Sequence, residues 1–145
     1  MRLAVTKLTP SAILPTYAHA SDACFDIYAQ RVERYEFDAS AAKAVIGTGL
    51  SFAIPDGWAM LVFSRSGMGF KENLRLANCV GVIDSGYRGE LMVKLTKDDI
   101  GEIKVEPGQR VAQGMLVPVE RIQFMEVESL PGSDRGDNGF GSSGQ

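Results

Sequence analysis

The feature of this sequence that most limits its fold is a series of short apolar or alternating segments separated by Gly- and Pro-containing turns. Segments of this kind, spaced about ten residues apart, are typical of strands in an all-β sandwich or barrel. No strong helical period is present, and residues 38–44, a weak helical candidate, would give only about two turns. The sequence therefore predicts an all-β fold, with a jelly-roll-like β-barrel as the favoured form. The predicted strands are residues 2–8, 21–29, 35–37, 44–54, 58–63, 80–83, 91–96, 101–105, 110–119 and 122–127.

Size and composition limit the classes of function. With 145 residues the chain suits one domain with a hydrophobic core. A net charge of −3 gives no reason to expect a nucleic-acid polymer as partner, and no apolar run approaches the ~20 residues of a membrane span. Two cysteines make no disulfide framework, and one histidine cannot build a His-rich metal site. We expect an intracellular, cytoplasmic protein without a signal peptide or membrane contact, in which any divalent ion is held by oxygen.

The segment 78–91 carries an unusual set of side chains. Two β-type runs flank a Ser-Gly turn, so the segment is predicted to be a hairpin. A carboxylate, a phenol and a guanidinium fall within five residues of it, at Asp84, Tyr87 and Arg88. A simple structural interpretation is that Asp84 caps the turn by accepting a bond from a backbone N–H two residues on. A catalytic carboxylate is the alternative, and the segment alone leaves both open.

The last seventeen residues differ in composition from the rest. Residues 129–145 contain five glycines and four serines, too little apolar surface to order the backbone. We therefore divide the chain into a folded domain, residues 1–128, and a flexible arm, residues 129–145. The arm carries Arg135, Phe140 and two serines, which suit closure over a phosphorylated base. A tail without a function is the other interpretation.

Two further groups suit the binding of phosphate. Arg65, Ser66 and Gly67 offer a guanidinium, a hydroxyl and open backbone N–H groups in sequence. Gln113 interrupts an apolar strand, where its amide could donate to a phosphate or simply face water, and both interpretations stay open. The sequence has no G-x-x-x-x-G-K-[ST] loop and no G-x-G-x-x-G opening a helix, which excludes the common nucleotide-binding motifs.

Five segments, in order, resemble the five motifs of the trimeric dUTP diphosphatases (dUTPases). They are D-A-C-F-D-I-Y-A at 22–29, S-R-S-G-M-G at 64–69, G-V-I-D-S-G-Y-R-G-E at 81–90, P-G-Q-R-V-A-Q at 107–113 and R-G-D-N-G-F-G-S-S-G at 135–144. The resemblance implies a jelly-roll-like fold and a homotrimer with three sites at subunit interfaces. It also implies Mg²⁺-dependent hydrolysis of dUTP to dUMP and pyrophosphate, which limits uracil incorporation into DNA and supplies dUMP for thymidylate synthesis.

The resemblance also implies roles for individual residues around the base and sugar. Asp84 would orient the attacking water, and Tyr87 would lie under the deoxyribose and leave no room for a 2′-hydroxyl. Asn78 would read the uracil edge together with the backbone of the predicted hairpin, at Gly81, Val82, Ile83 and Met92.

Other residues would hold the triphosphate and the metal. Asp26 would bind waters around Mg²⁺. The resemblance assigns the α- and β-phosphates to Arg65, Ser66, Gly67 and Gln113. It assigns the γ-phosphate to the arm, through Arg135, Gly141, Ser142 and Ser143, and places Phe140 on the uracil ring.

The sequence departs from the usual family pattern at four places. Cys24 replaces a glycine, Ser64 a proline, Gly86 an acidic residue, and residues 137–138 a smaller pair. None of these positions has a named chemical role, although Gly86 is expected to loosen the turn that carries Asp84.

The sequence leaves two alternatives to hydrolysis. The dCTP deaminases share the fold, but their catalytic Glu falls at Lys94 and a motif Arg falls at Phe70, so deamination is a minor alternative. The other alternative is a binding protein that responds to nucleotide and uses the same pocket as a switch. The presence of Asp84 disfavours a purely non-catalytic role, but it does not exclude an added binding role.

Overall fold

The computed structural model describes residues 1–37, 41–99 and 101–139. Within them the chain forms nine strands and one short helix. In chain order these are β1 (Ala4–Lys7), β2 (Phe25–Tyr28), β3 (Arg31–Phe37), β4 (Ala42–Ala53), β5 (Trp58–Phe63), α1 (Ser66–Glu72), β6 (Leu74–Leu76), β7 (Val80–Ile83), β8 (Glu90–Lys97) and β9 (Arg110–Pro118).

The strands form two antiparallel sheets. In the first, the long strand β4 lies between β8 on one side and both β1 and β3 on the other, and β6 pairs with the far side of β8. The second sheet has the order β2-β9-β5-β7. The predicted all-β, jelly-roll-like fold is confirmed.

The core lies between the two sheets. Along β8, Leu91, Val93 and Leu95 are buried while Met92 is 45% exposed, which is the period-2 alternation of a strand with one face inside. The largest fully buried side chains come from both sheets and include Ile27, Ile46, Leu50, Met60, Leu95 and Val111. Each such side chain stabilises the fold by about 1.5–3 kcal/mol through removal from water.

Two of the predicted strands are absent. Residues 101–105 form no strand, because their backbone pairs with no neighbouring strand. The side chains of Ile103 and Val105 are nevertheless buried in the core. Residues 122–127 are also outside any strand, and all of residues 118–139 are exposed. Alternation of apolar and polar residues indicates which side chains can be buried, but a strand also needs hydrogen bonds from its backbone to a neighbouring strand.

The helix α1 was not predicted. It spans Ser66–Glu72, contains two glycines, and ends at Asn73, whose left-handed conformation (φ 53°) an asparagine tolerates. Two turns with glycines have little intrinsic stability. The buried side chain of Met68 anchors the helix to the core instead.

The predicted hairpin at 78–91 is wrong. β7 pairs with β5 in the second sheet, whereas β8 pairs with β4 and β6 in the first. The two strands are consecutive in the chain but diverge, so the residues between them cross from one sheet to the other. A cleft opens where a hairpin would have cross-strand hydrogen bonds.

The helices of the described residues include none that is long and apolar enough to cross a membrane.

Candidate active site

The cleft between β7 and β8 encloses a cavity of about 500 Å³. In the part of the chain that the structure describes, β7 is the last strand of its sheet and pairs only with β5, and β6 covers only the end of β8 beyond Lys94. Two strand edges with free backbone donors and acceptors therefore face the cavity. Four predicted base-binding residues line it, namely Asn78, Gly81, Ile83 and Met92. The side chain of Val82 does not line it and is 60% exposed.

The residues that follow β7 form a turn with an exposed carboxylate. The Tyr87 N–H donates to the Asp84 carbonyl oxygen at 3.1 Å. The Tyr87 hydroxyl donates to the Glu90 carbonyl oxygen at 2.9 Å, and Tyr87 stays 46% exposed. Because the turn is closed by backbone groups, the Asp84 carboxylate is not needed to cap it and faces solvent.

An ion pair that the sequence did not reveal fixes the start of β8. Arg31 Nη1 and Nη2 donate to Glu90 Oε1 and Oε2 at 2.8 and 2.7 Å, and the Gly49 N–H donates to Oε1 at 2.7 Å. These bonds to its charged form hold the pKa of Glu90 below its usual value, chiefly through Arg31, and the same pair raises the pKa of Arg31. A Cβ atom at Gly47 would lie 2.6 Å from Arg31 Cζ, so the glycine lets the guanidinium lie on β4.

A second cluster lies at the opposite end of β5. Arg65 Nε donates to Asp26 Oδ1 at 2.9 Å, and Arg110 Nη1 donates to Oδ2 at 3.2 Å. As the alternation of side chains along β2 predicts, Asp26 lies on the face opposite the core side chains Phe25 and Ile27. The two arginines cover its side chain, so that Asp26 is only 8% exposed. Arg110 was not predicted, although it stands in the fourth quoted motif.

Ser64 has a role that the usual proline could not have. Its hydroxyl accepts the Leu76 N–H at 2.9 Å, which ties the end of β5 to β6, and its carbonyl oxygen accepts a bond from the Gln113 amide at 2.8 Å. Gln113 therefore faces the cluster rather than bulk water. A shallow cavity of about 240 Å³ lies beside it, lined by Ser64, Arg65, Ser66, Gly69 and Phe70.

The carboxylate turn and the arginine cluster are far apart in one chain. Ile83 lies opposite Met60 near the start of β5, whereas Arg65 follows the end of that strand. The position on β5 opposite Asp84 is six residues before Arg65. At about 3.3 Å per residue of strand, this is a distance of about 20 Å. One chain therefore does not bring all predicted site residues together.

The described part of the C-terminal arm, residues 129–139, is exposed. Arg135 is exposed, and its Nε donates to the Asn138 carbonyl oxygen at 2.8 Å. The other predicted arm residues, Phe140, Gly141, Ser142 and Ser143, lie outside the described residues.

Few groups in the described residues suit direct binding of a metal ion. No cluster of three or more His, Cys, Asp or Glu side chains occurs in residues 1–37, 41–99 and 101–139. Asp26 is a single carboxylate, and each of its two oxygens accepts one hydrogen bond from an arginine. Each oxygen has a second lone pair, which can accept a hydrogen bond from a water. This donor set fits Mg²⁺ held mainly by phosphate oxygens and waters.

Three other features of the described residues bear on the predictions. A larger cavity, of about 690 Å³, is lined mainly by apolar side chains and contains no predicted site residue. Lys94, at the position of the deaminase carboxylate, pairs with Glu36 at 2.6 Å, and Phe70 is 92% exposed. Burial raises the pKa of the Cys24 thiol, which disfavours a reactive thiolate there.

Comparison with known proteins identifies the family. A sequence model described as dUTPase matches residues 10–144. This chain belongs to the dUTPase family. The match begins before the first quoted motif and includes all five.

Individual members of the family align with almost the whole chain. The deoxyuridine 5′-triphosphate nucleotidohydrolase of Thermobifida fusca is 39% identical over 146 residues, covering 99% of this chain and 79% of that protein. That of Alcanivorax borkumensis is 40% identical over 145 residues, covering 99% and 96%. Among solved structures, the dUTPase of Staphylococcus bacteriophage 80alpha with dUPNHPP superposes with a TM-score of 0.82 at 31% identity, covering 99% of both chains.

Proposed function

We propose that this chain hydrolyses dUTP to dUMP and pyrophosphate, in the cytoplasm, and so limits uracil incorporation into DNA and supplies dUMP for thymidylate synthesis. The observation that carries the proposal is the cleft between the open edges of β7 and β8, two strands joined by the turn that carries Asp84 and Tyr87. Family membership and the named dUTP nucleotidohydrolases support the same reaction.

The cleft suits recognition of a planar base. Backbone groups on the facing edges of β7 and β8, at Gly81, Val82, Ile83 and Met92, pair with the edge of uracil, together with the Asn78 amide. A site built from fixed donors and acceptors discriminates strongly, because a base with another edge leaves those groups unpaired. Cytosine has a donor where uracil has an acceptor, and thymine adds a methyl group, so both fit poorly.

Asp84 and Tyr87 act on the sugar side of the cleft. Tyr87 lies beneath the deoxyribose and excludes a 2′-hydroxyl. Asp84 accepts a proton from the attacking water and orients it for attack on the α-phosphorus, with pyrophosphate leaving in line. The exposure of the Asp84 carboxylate permits contact with that water.

The triphosphate is held by the cluster at the other end of β5. Arg65, Ser66, Gly67 and Gln113 bind the α- and β-phosphates, and Arg110 and Arg65 hold Asp26 in place. Asp26 accepts hydrogen bonds from waters around Mg²⁺. When bound, Mg²⁺ neutralises phosphate oxygens and so favours departure of pyrophosphate.

The separation of the two clusters supports a homotrimer with shared sites. A distance of about 20 Å along β5 exceeds what one α-phosphate and its water can bridge, so Asp84 of one subunit and Arg65 of another would form each site. The exposed apolar side chains Ile122, Phe124 and Met125, at 75%, 90% and 82%, favour contact with a neighbouring subunit. The arm, through Arg135, Phe140, Gly141, Ser142 and Ser143, would close the site over the base and γ-phosphate, since stacking on an aromatic ring contributes roughly 1–3 kcal/mol.

Pyrophosphate release with and without magnesium tests the proposal. We expect kcat/KM for dUTP to exceed that for UTP, dCTP and dTTP by at least about a hundredfold, because the wrong base edge or sugar leaves polar groups unpaired. Chelation with EDTA should abolish turnover, and added Mg²⁺ should restore it. Comparable kcat/KM values for dUTP and dTTP would contradict the proposal, and release of ammonia from dCTP would favour the deaminase alternative.

A further inference from the structure

The ring of Tyr87 is folded back over the residue two positions after it. Its hydroxyl donates to the Glu90 carbonyl oxygen at 2.9 Å. A Cβ atom at Gly89 would lie 2.6 Å from Tyr87 Cζ and 2.9 Å from Cε2. Real Cβ atoms do not approach other atoms this closely, so the ring keeps this position only because residue 89 has no side chain.

The backbone around Gly89 cannot easily move to relieve such a contact. On one side, the Ser51 hydroxyl donates to the Arg88 carbonyl oxygen at 2.5 Å. On the other, Glu90 pairs in register with Ser51, and its carboxylate is held by Arg31 and the Gly49 N–H. A side chain at position 89 would therefore displace the Tyr87 ring rather than the chain.

The need for glycine at position 89 comes from the ring and not from the backbone. The φ angle of Gly89 lies outside the left-handed region, so an alanine meets no backbone strain there. Gly86, in the same turn, has a φ angle outside the same region, and a Cβ atom there would meet nothing within 4 Å apart from its two chain neighbours. The two glycines thus form a matched pair, since a Cβ atom would meet the ring from two positions away at residue 89 and would meet no residue beyond its chain neighbours at residue 86.

We propose that Gly89 is a positioning residue that sets the discrimination between deoxyribose and ribose, by allowing Tyr87 to lie flat against the chain. This inference rests on the proposed function, since it assigns Tyr87 to the sugar. A ring displaced by a Cβ atom at position 89 no longer supports the deoxyribose and no longer excludes a 2′-hydroxyl. Gly89 acts only through Tyr87.

A double-mutant cycle with two substrates tests the inference. Gly89→Ala should lower kcat/KM for dUTP about a hundredfold, as expected for a shift of about 1 Å in a positioning group. The loss for UTP should be smaller, so the dUTP/UTP ratio falls. In the Tyr87→Ala background, the same Gly89→Ala change should alter kcat/KM by less than about twofold, because the contact that it disturbs is gone. Gly86→Ala should leave the dUTP/UTP ratio unchanged.

The outcomes separate this inference from the proposed function. An unchanged dUTP/UTP ratio in Gly89→Ala, or an equal loss in both backgrounds, overturns the positioning role while dUTP hydrolysis by the unaltered protein stands. Absence of dUTP hydrolysis in the unaltered protein overturns the proposed function itself. If Gly89→Ala fails to fold, recovery of folding in the Tyr87→Ala, Gly89→Ala double variant supports the contact, and failure of both variants overturns it.

Discussion

At the scale of single residues, position in the fold decides which polar groups remain available for chemistry. Asp26 and Asp84 are both aspartates next to apolar runs. Asp26 is 8% exposed and accepts bonds from two arginines, whereas Asp84 is exposed and leaves closure of its turn to the backbone. A paired carboxylate suits a fixed structural or water-binding role, and an exposed one in the turn between β7 and β8 suits contact with the attacking water.

Replacement of Asp84 tests this division of roles. Asp84→Asn keeps the shape but removes the charge that activates the water, so kcat should fall by about 10²–10⁴, with little change in the affinity for dUpNHpp. Steady-state kinetics and calorimetric titration measure the two effects. Asp56→Asn, which removes another exposed carboxylate to which no role is assigned, is the control and should keep full activity. Retention of most turnover by Asp84→Asn would instead support a structural role for Asp84.

At the scale of elements, the active-site turn depends on strands that are distant in sequence. β8 begins at Glu90, and the carboxylate of this residue binds Arg31 in β3 and a backbone N–H in β4. Gly47 in β4 gives the Arg31 guanidinium room to reach it. Three strands of one sheet thus fix the end of the turn that carries Asp84 and Tyr87.

Glu90→Gln should reduce thermal stability in a pH-dependent way. The substitution weakens hydrogen bonds to a charged group, a loss of about 1–3 kcal/mol before allowance for the partly exposed Arg31. Because the pKa of Glu90 is lowered in the folded chain from 4.5, its contribution is fully present above pH 4.5 and is lost as the pH falls through the lowered value.

Thermal midpoints at several pH values give the measurement. The difference between the unaltered chain and Glu90→Gln should be largest near neutrality and should shrink below pH 4.5. Glu102→Gln, in a largely exposed pair with Lys104, serves as the control and should change the midpoint little at any pH. A constant difference for Glu90→Gln across the range would exclude its ionisation as the cause.

At the scale of the whole molecule, the arrangement of the two sheets separates the two halves of the proposed site. Asp84 and Arg65 lie near opposite ends of β5, about 20 Å apart by strand geometry. A closed ring of three subunits offers a simple solution, because every junction brings one surface of a subunit against a different surface of the next.

Mixing two inactive variants tests whether sites are shared. Asp84→Asn and Arg65→Ala homotrimers should each be nearly inactive. After co-refolding in equal amounts, three-quarters of random trimers are mixed, and each has one junction with an intact Asp84 and an intact Arg65. Roughly a quarter of all sites should therefore recover. Pyrophosphate release from dUTP measures the recovery, and a mixture that stays inactive would show that each site is built from one chain.

Local patterns in the chain were enough to predict the fold class, the family and the positions of several strands. A short apolar run that follows a turn is typical of a buried strand, so β5 at Trp58–Phe63 was predicted with its correct bounds. Motif residues are local, so Asn78, Gly81, Ile83 and Met92 were named before their common cavity was known.

How those segments meet depends on contacts between parts of the chain that are far apart in sequence. β7 and β8 are adjacent in sequence and yet pair in different sheets, because β5 and β4 offer each of them a better-placed edge. Arg31 and Glu90 are 59 positions apart, and Arg110 reaches Asp26 across 84. Helix α1 forms because Met68 is buried, not because its residues favour a helix. Strand pairing, the burial of side chains and contacts between residues all depend on distances between segments of the folded chain. The amino-acid pattern of a segment contains only the spacing of residues within that segment.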